Sequence, residues 1–199
     1  MNIEYIDCPT PHIILDNVFD EQSLTNIWKE LDFLSLSMLN PEETGTAKND
    51  AGQILKQNKG LFLYDTYVNA SNSSVICKEM SRIAWRCDIG DNWKHPWMQS
   101  MYKKTNWDSI MLSYYDNNCY YLPHVDESVF TMLVWLWKEP KEFTGGDFYF
   151  FDHDHKIECK NNSGVIFMSS EKHSVSETLL NKEDYGRYCI TLFSGIKNN

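Results

Sequence analysis

The sequence contains no CxxC, no closely spaced cysteine pair and no apolar run long enough to span a membrane. Each absence removes a class of protein. Six cysteines stand apart at 8, 77, 87, 119, 159 and 189. That scatter argues against a thiolate-bound zinc. The opening MNIEYIDCPT is acidic and has no signal-peptide core, so free, mostly buried thiols are expected in a cytoplasmic chain. A membrane helix needs roughly 20 apolar residues, so no membrane association is expected. Positive charge is also scarce. Eighteen Lys and Arg against 28 Asp and Glu leave a formal net charge of −10, which argues against nucleic acid as a partner. There is no internal repeat and no low-complexity linker.

What is present suits one domain with a sizeable core: 199 residues, 42 % hydrophobic and 14 % aromatic. PHIILDNVF reads as a strand leading into a helix. Asp20 is placed to cap it, and Leu24, Ile27, Trp28, Leu31 and Leu34 recur at helical spacing. A second helix is predicted from near Ser73, with Ile76, Met80, Ile83 and Ala84 as its apolar stripe. Between the two, LNPEETGTAKNDAGQILKQNKG is polar, with only Ile54 and Leu55 to anchor it. It reads as a mobile surface loop or as a lid over a site.

From about residue 109 the character changes. SIMLSYY, FTMLVWLW, GDFYFF, KIECK, GVIFM and RYCITLFS are short runs rich in β-branched and aromatic residues, separated by Asn, Asp, Gly and Pro. That pattern predicts an antiparallel sandwich or barrel. The expectation is a single domain over 1–199, helical to about 105, with a β core over about 106–195.

The β half holds the candidate chemistry. In HVDESVF, His124 and Asp126 are two residues apart and share one side of an extended backbone. With six histidines and fifteen aspartates in the chain, such a pair arises by chance about as often as not. His173 follows the strand GVIFM, 47 residues beyond Asp126, and Arg187 begins the last strand fourteen residues later. Two imidazoles and a carboxylate can hold a non-haem iron(II) with positions left open. An arginine can grip a dicarboxylate through two parallel hydrogen bonds. The same three groups could serve a cupin-like zinc hydrolase, and a non-catalytic jelly-roll binding module would need none of them. The tract DHDH at 152–155 also offers metal-binding groups, but it lies where a hairpin turn is needed. His95 reads as structural or as a pocket-edge residue, and His12 as a residue of the first strand with no evident partner.

The ordered set YYDNNCYYLPHVD, FTGGDFYFF, GVIFMSSEKHSV and GRYCITLF, over roughly 109–194, resembles the iron(II)- and 2-oxoglutarate-dependent oxygenases, in their prolyl-4-hydroxylase-like branch. The resemblance implies a mainly β (α+β) fold: a double-stranded β-helix, or cupin-like jelly roll, with N-terminal supporting helices. It implies that His124, Asp126 and His173 ligate iron(II) and that Arg187 binds the distal carboxylate of 2-oxoglutarate. Thr191, on the same strand face as Arg187, would line the pocket. Tyr114, ten residues before His124, stands where the family has a tyrosine bonded to the co-substrate, and Tyr121 at an aromatic position facing the substrate. Gly145 and Gly146 would permit a tight turn before DFYFF. Trp135 stands where many relatives carry a tyrosine near the co-substrate, and its indole can donate a hydrogen bond but not accept one. The implied activity is a dioxygenase using iron(II), 2-oxoglutarate and dioxygen on a peptide, prolyl or otherwise, or on a small amino-acid-like molecule. The carboxylate of Asp126 favours hydroxylation over halogenation, since halogenating relatives have a small residue there.

Overall fold

The computed structural model describes residues 1–44, 47–67 and 71–197. Twelve strands and five α-helices are described. In chain order they are β1 (Asn2–Ile6), β2 (His12–Asp16), α1 (Glu21–Leu34), β3 (Lys59–Phe62), α2 (Leu63–Thr66), α3 (Val75–Ala84), α4 (Cys87–Asp91) and α5 (Pro96–Lys104). The β half follows: β4 (Trp107–Tyr115), β5 (Cys119–His124), β6 (Phe130–Trp137), β7 (Phe143–Gly145), β8 (Phe148–Phe150), β9 (His155–Ile157), β10 (Ser163–Met168), β11 (His173–Leu180) and β12 (Arg187–Gly195).

The strands form two antiparallel sheets. The larger runs β1-β2-β10-β6-β12-β4-β3; the smaller runs β5-β11-β8-β9, with β7 also paired to β11. Strand alternation divides the core in two. All eight residues of β6 are buried, because one face meets helices and the other meets the second sheet. Met132, Val134 and Leu136 join Ile27 and Leu31 of α1 and Met80 and Ile83 of α3 in one apolar cluster. Leu133, Trp135 and Trp137 point the other way, to Phe148, Phe150 and Phe167 between the sheets. β12 divides alike, Ile190 and Leu192 toward the helices and Cys189 inward.

Capping fixes the helices against this sheet. The Asp20 carboxylate accepts from Ser23 N at 2.8 Å. Ser74, one residue beyond the predicted start, caps α3 by accepting from Cys77 N at 2.9 Å. The Glu30 carboxylate accepts from Val75 N and Ile76 N, at 2.8 and 2.9 Å, and so ties α1 to the positive end of α3. No described helix is long and apolar enough to cross a membrane.

Three expectations need correction. His12 lies in the second strand, because β1 precedes it and pairs with it from Asn2↔Asp16 to Ile6↔His12. It has partners too: its Nδ1 lies 2.7 Å from the Thr10 carbonyl, and its ring centroid 5.0 Å from that of Phe150. The strand expected at KIECK is the shorter β9. The DHDH tract does turn. Phe151–His153 form one 3-10 turn, Asp154 takes a left-handed φ of 47°, and His155 opens β9. His95 precedes α5 with its Nε2 3.6 Å from Asp7 Oδ1.

Candidate active site

The smaller sheet brings the two histidines together by register. His124 ends β5, His173 begins β11, and the two are directly paired. Their ring centroids are 4.3 Å apart. Asp126 follows two residues after His124, and its oxygens lie 3.8 Å from His124 Nε2 and 3.5 Å from His173 Nε2. One ligand atom from each of the three residues falls within 4.8 Å of the other two.

The hydrogen bonds decide which atoms face inward. His124 Nδ1 is 2.8 Å from the Leu122 carbonyl and His173 Nδ1 is 2.9 Å from the Glu171 carbonyl. A carbonyl only accepts, so each Nδ1 carries the proton and each Nε2 offers its lone pair toward Asp126. Burial first, then His173 beside it, push the His124 pKa down to about 3, so its imidazole is neutral. Burial raises the Asp126 carboxyl, opposed by His173 and by a hydrogen bond from Thr131. That bond is short, 2.6 Å from Thr131 Oγ1 to Oδ2, and Thr131 lies 2.9 Å from Ser169 Oγ. The Asp126 N–H donates to the Ser169 carbonyl at 2.9 Å. Two imidazole nitrogens and an oriented carboxylate are a donor set that fits iron(II).

A cavity of about 530 Å³ opens between the sheets above this cluster, lined by Tyr115, Tyr121, His124, Asp126, His173 and Thr191 among others. Along β12 the inward row is Phe193, Thr191, Cys189 and then Arg187; the first three line the cavity and Arg187 lies one step deeper. Arg187 is 0 % exposed, and its Nε, Nη1 and Nη2 have no hydrogen-bond partner among the described residues. Its Cζ sits 4.6 Å from the centroid of the Tyr115 ring. A buried guanidinium without a carboxylate is costly, and it fits a ligand carboxylate. Gly146 leaves room beside it: a Cβ there would come 3.3 Å from Arg187 Nε and 3.0 Å from Thr178 Oγ1, a second buried atom without a partner.

Residues 110–195 match the family model of the 2OG-Fe(II) oxygenase superfamily. Over those residues the β core has the sequence pattern of a 2OG-Fe(II) oxygenase domain. Iron(II), 2-oxoglutarate and dioxygen are the cofactor and co-substrates of that superfamily, and the enzyme class is an iron(II)/2-oxoglutarate dioxygenase. Solved structures agree on the fold. A prolyl hydroxylase from Trichoplax adhaerens, in complex with a hypoxia inducible factor oxygen degradation domain peptide fragment, superposes with a TM-score of 0.64 at 14 % identity, covering 92 % of this chain and 83 % of its own. A Pseudomonas putida prolyl-4-hydroxylase gives 0.58 at 12 % identity, with 94 % and 93 % covered. A Burkholderia pseudomallei oxidoreductase of the 2OG-Fe(II) oxygenase family gives 0.59 at 13 %, with 94 % and 86 % covered. Among curated proteins, no sequence match is found.

Within the oxygenase core, one expected position is overturned. Tyr114 does not face the cavity. Its ring packs 4.7 Å from Tyr188 on the helix side of the sheet, and its hydroxyl accepts from Gly186 N at 3.0 Å. Tyr115 is the cavity residue, because Arg187↔Tyr115 is a register pair and paired residues share a face. Counting ten residues back from His124 crosses a turn at 116–118, and the length of that turn sets the parity. Trp135 packs one row behind the cavity wall, with its ring 6.2 Å from Phe148 and its Nε1 buried without a partner; Leu133 lines the cavity instead. Tyr121 does line it, stacked on His124 at 3.5 Å and 10°, with its hydroxyl accepting from Ala47 N at 3.3 Å. Burial pushes its pKa up to about 12.

Sequence reasoning overlooked Tyr115, Thr131, Ser169 and Thr178. It also overlooked Lys56 and Asn58, which are buried in the segment expected to be a loop or a lid. Burial pushes the Lys56 pKa down to about 8. Among the described residues of that segment, Ala47 reaches the cavity lining and residues 55–57 hydrogen-bond to β5.

Proposed function

We propose that the protein is a hydroxylase acting on a peptidyl substrate, prolyl or otherwise, or on an amino-acid-like one. In this reading His124, Asp126 and His173 hold iron(II), and Arg187 holds the distal carboxylate of 2-oxoglutarate. With iron(II) bound there, 2-oxoglutarate and dioxygen would be consumed together: one oxygen atom would pass into succinate, carbon dioxide would leave, and the other oxygen atom would go to the substrate. The chain's own residues do the positioning. The two Nδ1 hydrogen bonds fix the imidazole planes, and Thr131 fixes the carboxylate. Thr191 and Tyr115 flank the path from the three ligands to Arg187, with Trp135 behind them as an indole donor. Met111, Leu133 and Phe193 give the cavity apolar walls that exclude water from the reacting centre.

The observation that carries the reading is the orphaned guanidinium of Arg187, aligned on β12 with the cavity that holds the His-Asp-His cluster. A zinc hydrolase would use the same three ligands but leave Arg187 without a purpose, and a binding module would need neither. For a peptide substrate the support is the mouth, where Val125 lines the cavity edge and, with Leu122, is half exposed. The test is succinate release with iron(II) and 2-oxoglutarate, combined with a screen of peptides and amino acids for a mass gain of one oxygen. The expected result is both together. Hydrolysis products with no succinate would favour the zinc reading instead.

A further inference from the structure

The functional reading above gives Lys56 and Asn58 no role. The stretch carrying them crosses from one sheet to the other. Gln57 N donates to the Tyr120 carbonyl at 3.0 Å, Leu122 N to the Leu55 carbonyl at 2.8 Å, and Lys56 bridges Tyr121, so residues 55–57 flank β5. Two residues later β3 is paired with β4 at the edge of the larger sheet. The stretch thus closes one side of the space between the sheets.

Burial alternates along it. Lys56, Asn58 and Gly60 are buried, while Gln57 and Lys59 are exposed. The far end of this row shows which way the buried face points. A Cβ at Gly60 would lie 2.6 Å from the terminal methyl of Met111, and both Met111 and Phe62 line the cavity. Lys56 and Asn58 are likewise turned from solvent; neither is among the cavity-lining residues, and Lys56 adjoins the cavity through Tyr121. Lys56 is 4 % exposed and Asn58 1 %, yet Lys56 Nζ, Asn58 Nδ2 and Asn58 Oδ1 have no hydrogen-bond partner among the described residues. Lys56 Nζ is 6.0 Å from the centroid of the Tyr121 ring, which stacks on His124. A buried ammonium with no acceptor is among the costliest features a fold can keep.

Charge counting sharpens the point and rests on the oxygenase reading. An iron(II) dication, the Asp126 carboxylate, the Arg187 guanidinium and the 2-oxoglutarate dianion sum to zero. Lys56 leaves one buried positive charge over; the Glu127 carboxylate also lines the cavity but is exposed to solvent, which screens it. We propose that Lys56 and Asn58 form an anion subsite for the primary substrate, which brings a carboxylate into the cavity. Lys56 supplies the charge, and Asn58 an N–H to the same group or to a carbonyl beside it. The substrate class is an acidic peptide residue or a free α-carboxylate.

The test is calorimetry under nitrogen on the iron(II)·2-oxoglutarate protein. The probes are N-acetyl amino acids, each as the free acid and as the primary amide; the Asp and Glu amides are set against Asn and Gln. Wild type is expected to bind an acid member about ten- to a hundredfold tighter than its neutral twin. Lys56→Met should erase that preference, Lys56→Arg should keep part of it, and Asn58→Ala should weaken it less. Lys56→Met should also melt no lower than wild type, since it removes an unpaired buried charge. No acid preference in wild type, or one that survives Lys56→Met, overturns the proposal. So does a Lys56→Met protein that loses 2-oxoglutarate and keeps the preference, because the lysine then serves the co-substrate. Failure of wild type to bind iron or 2-oxoglutarate would sink the oxygenase reading separately, and the acid–amide comparison can still be made on metal-free protein.

Discussion

The two faces of the larger sheet are built on opposite rules. The helix-side face is apolar and self-contained: Ile110, Leu112, Val134, Leu136, Ile190 and Leu192 meet the stripes of α1 and α3. The space on its inward side, between the two sheets, collects the buried polar atoms that lack partners. Of the ten such side-chain atoms among the described residues, nine belong to Lys56, Asn58, Trp135, Trp137, Thr178 and Arg187; the exception is Trp93 Nε1. One face is finished by folding, and the other is completed by a ligand. Substitutions on the first should therefore change stability, and substitutions on the second should change what binds.

The largest effect should come from the three proposed metal ligands. His124→Ala, Asp126→Ala or His173→Ala should each abolish turnover and leave iron binding below detection by metal analysis after desalting, with the fold intact by circular dichroism. Retained iron in all three would remove the distinction between the faces. On the other side, Ile83→Ala should cost about 2–5 kcal/mol in denaturant unfolding and leave 2-oxoglutarate affinity unchanged. The neighbouring tyrosines give the sharpest contrast. Tyr115→Leu removes the ring stacked on Arg187, worth about 2 kcal/mol in a desolvated site, so 2-oxoglutarate affinity should fall by roughly 30-fold. Tyr114→Phe removes only the bond to Gly186 N, costing about 1 kcal/mol of stability and no ligand affinity. Equal ligand effects at 114 and 115 would contradict the register. Smallest of all, the double variant His153→Ala, His155→Ala should keep iron content near wild type, because His153 lies in the turn before β9 and His155 opens that strand, both apart from the His-Asp-His cluster.

How much of this the sequence carried depended on periodicity. The β runs from 109 onward, the cap at Asp20, the start of a helix near Ser73, and the triad with Arg187 were legible because each rests on local spacing or on an ordered motif. β1, α4 and α5 were not, since each is too short to display a period. Tyr114 was chosen over Tyr115 because a count along the chain ignores turn length, whereas the face a strand residue takes is set by its partner across the ladder. Lys56 and Asn58 sit in a polar, glycine-bearing stretch whose composition reads as solvated. They are buried only because that stretch spans the two sheet edges, a tertiary fact with no local signature.

The central claim is that Arg187 is held unpaired to receive the distal carboxylate of 2-oxoglutarate. The most direct measurement is an anaerobic titration of iron-loaded Arg187→Ala with 2-oxoglutarate, following the weak visible absorbance of the chelate. Removing a charged partner in a desolvated site costs about 2–5 kcal/mol, which is roughly 30-fold to several-thousand-fold in affinity. The variant should therefore keep its iron and lose 2-oxoglutarate by at least the lower factor. Arg187→Lys should recover only part of the loss, since a point charge cannot reproduce the two-pronged geometry. An Arg187→Ala protein that titrates like wild type would contradict the account.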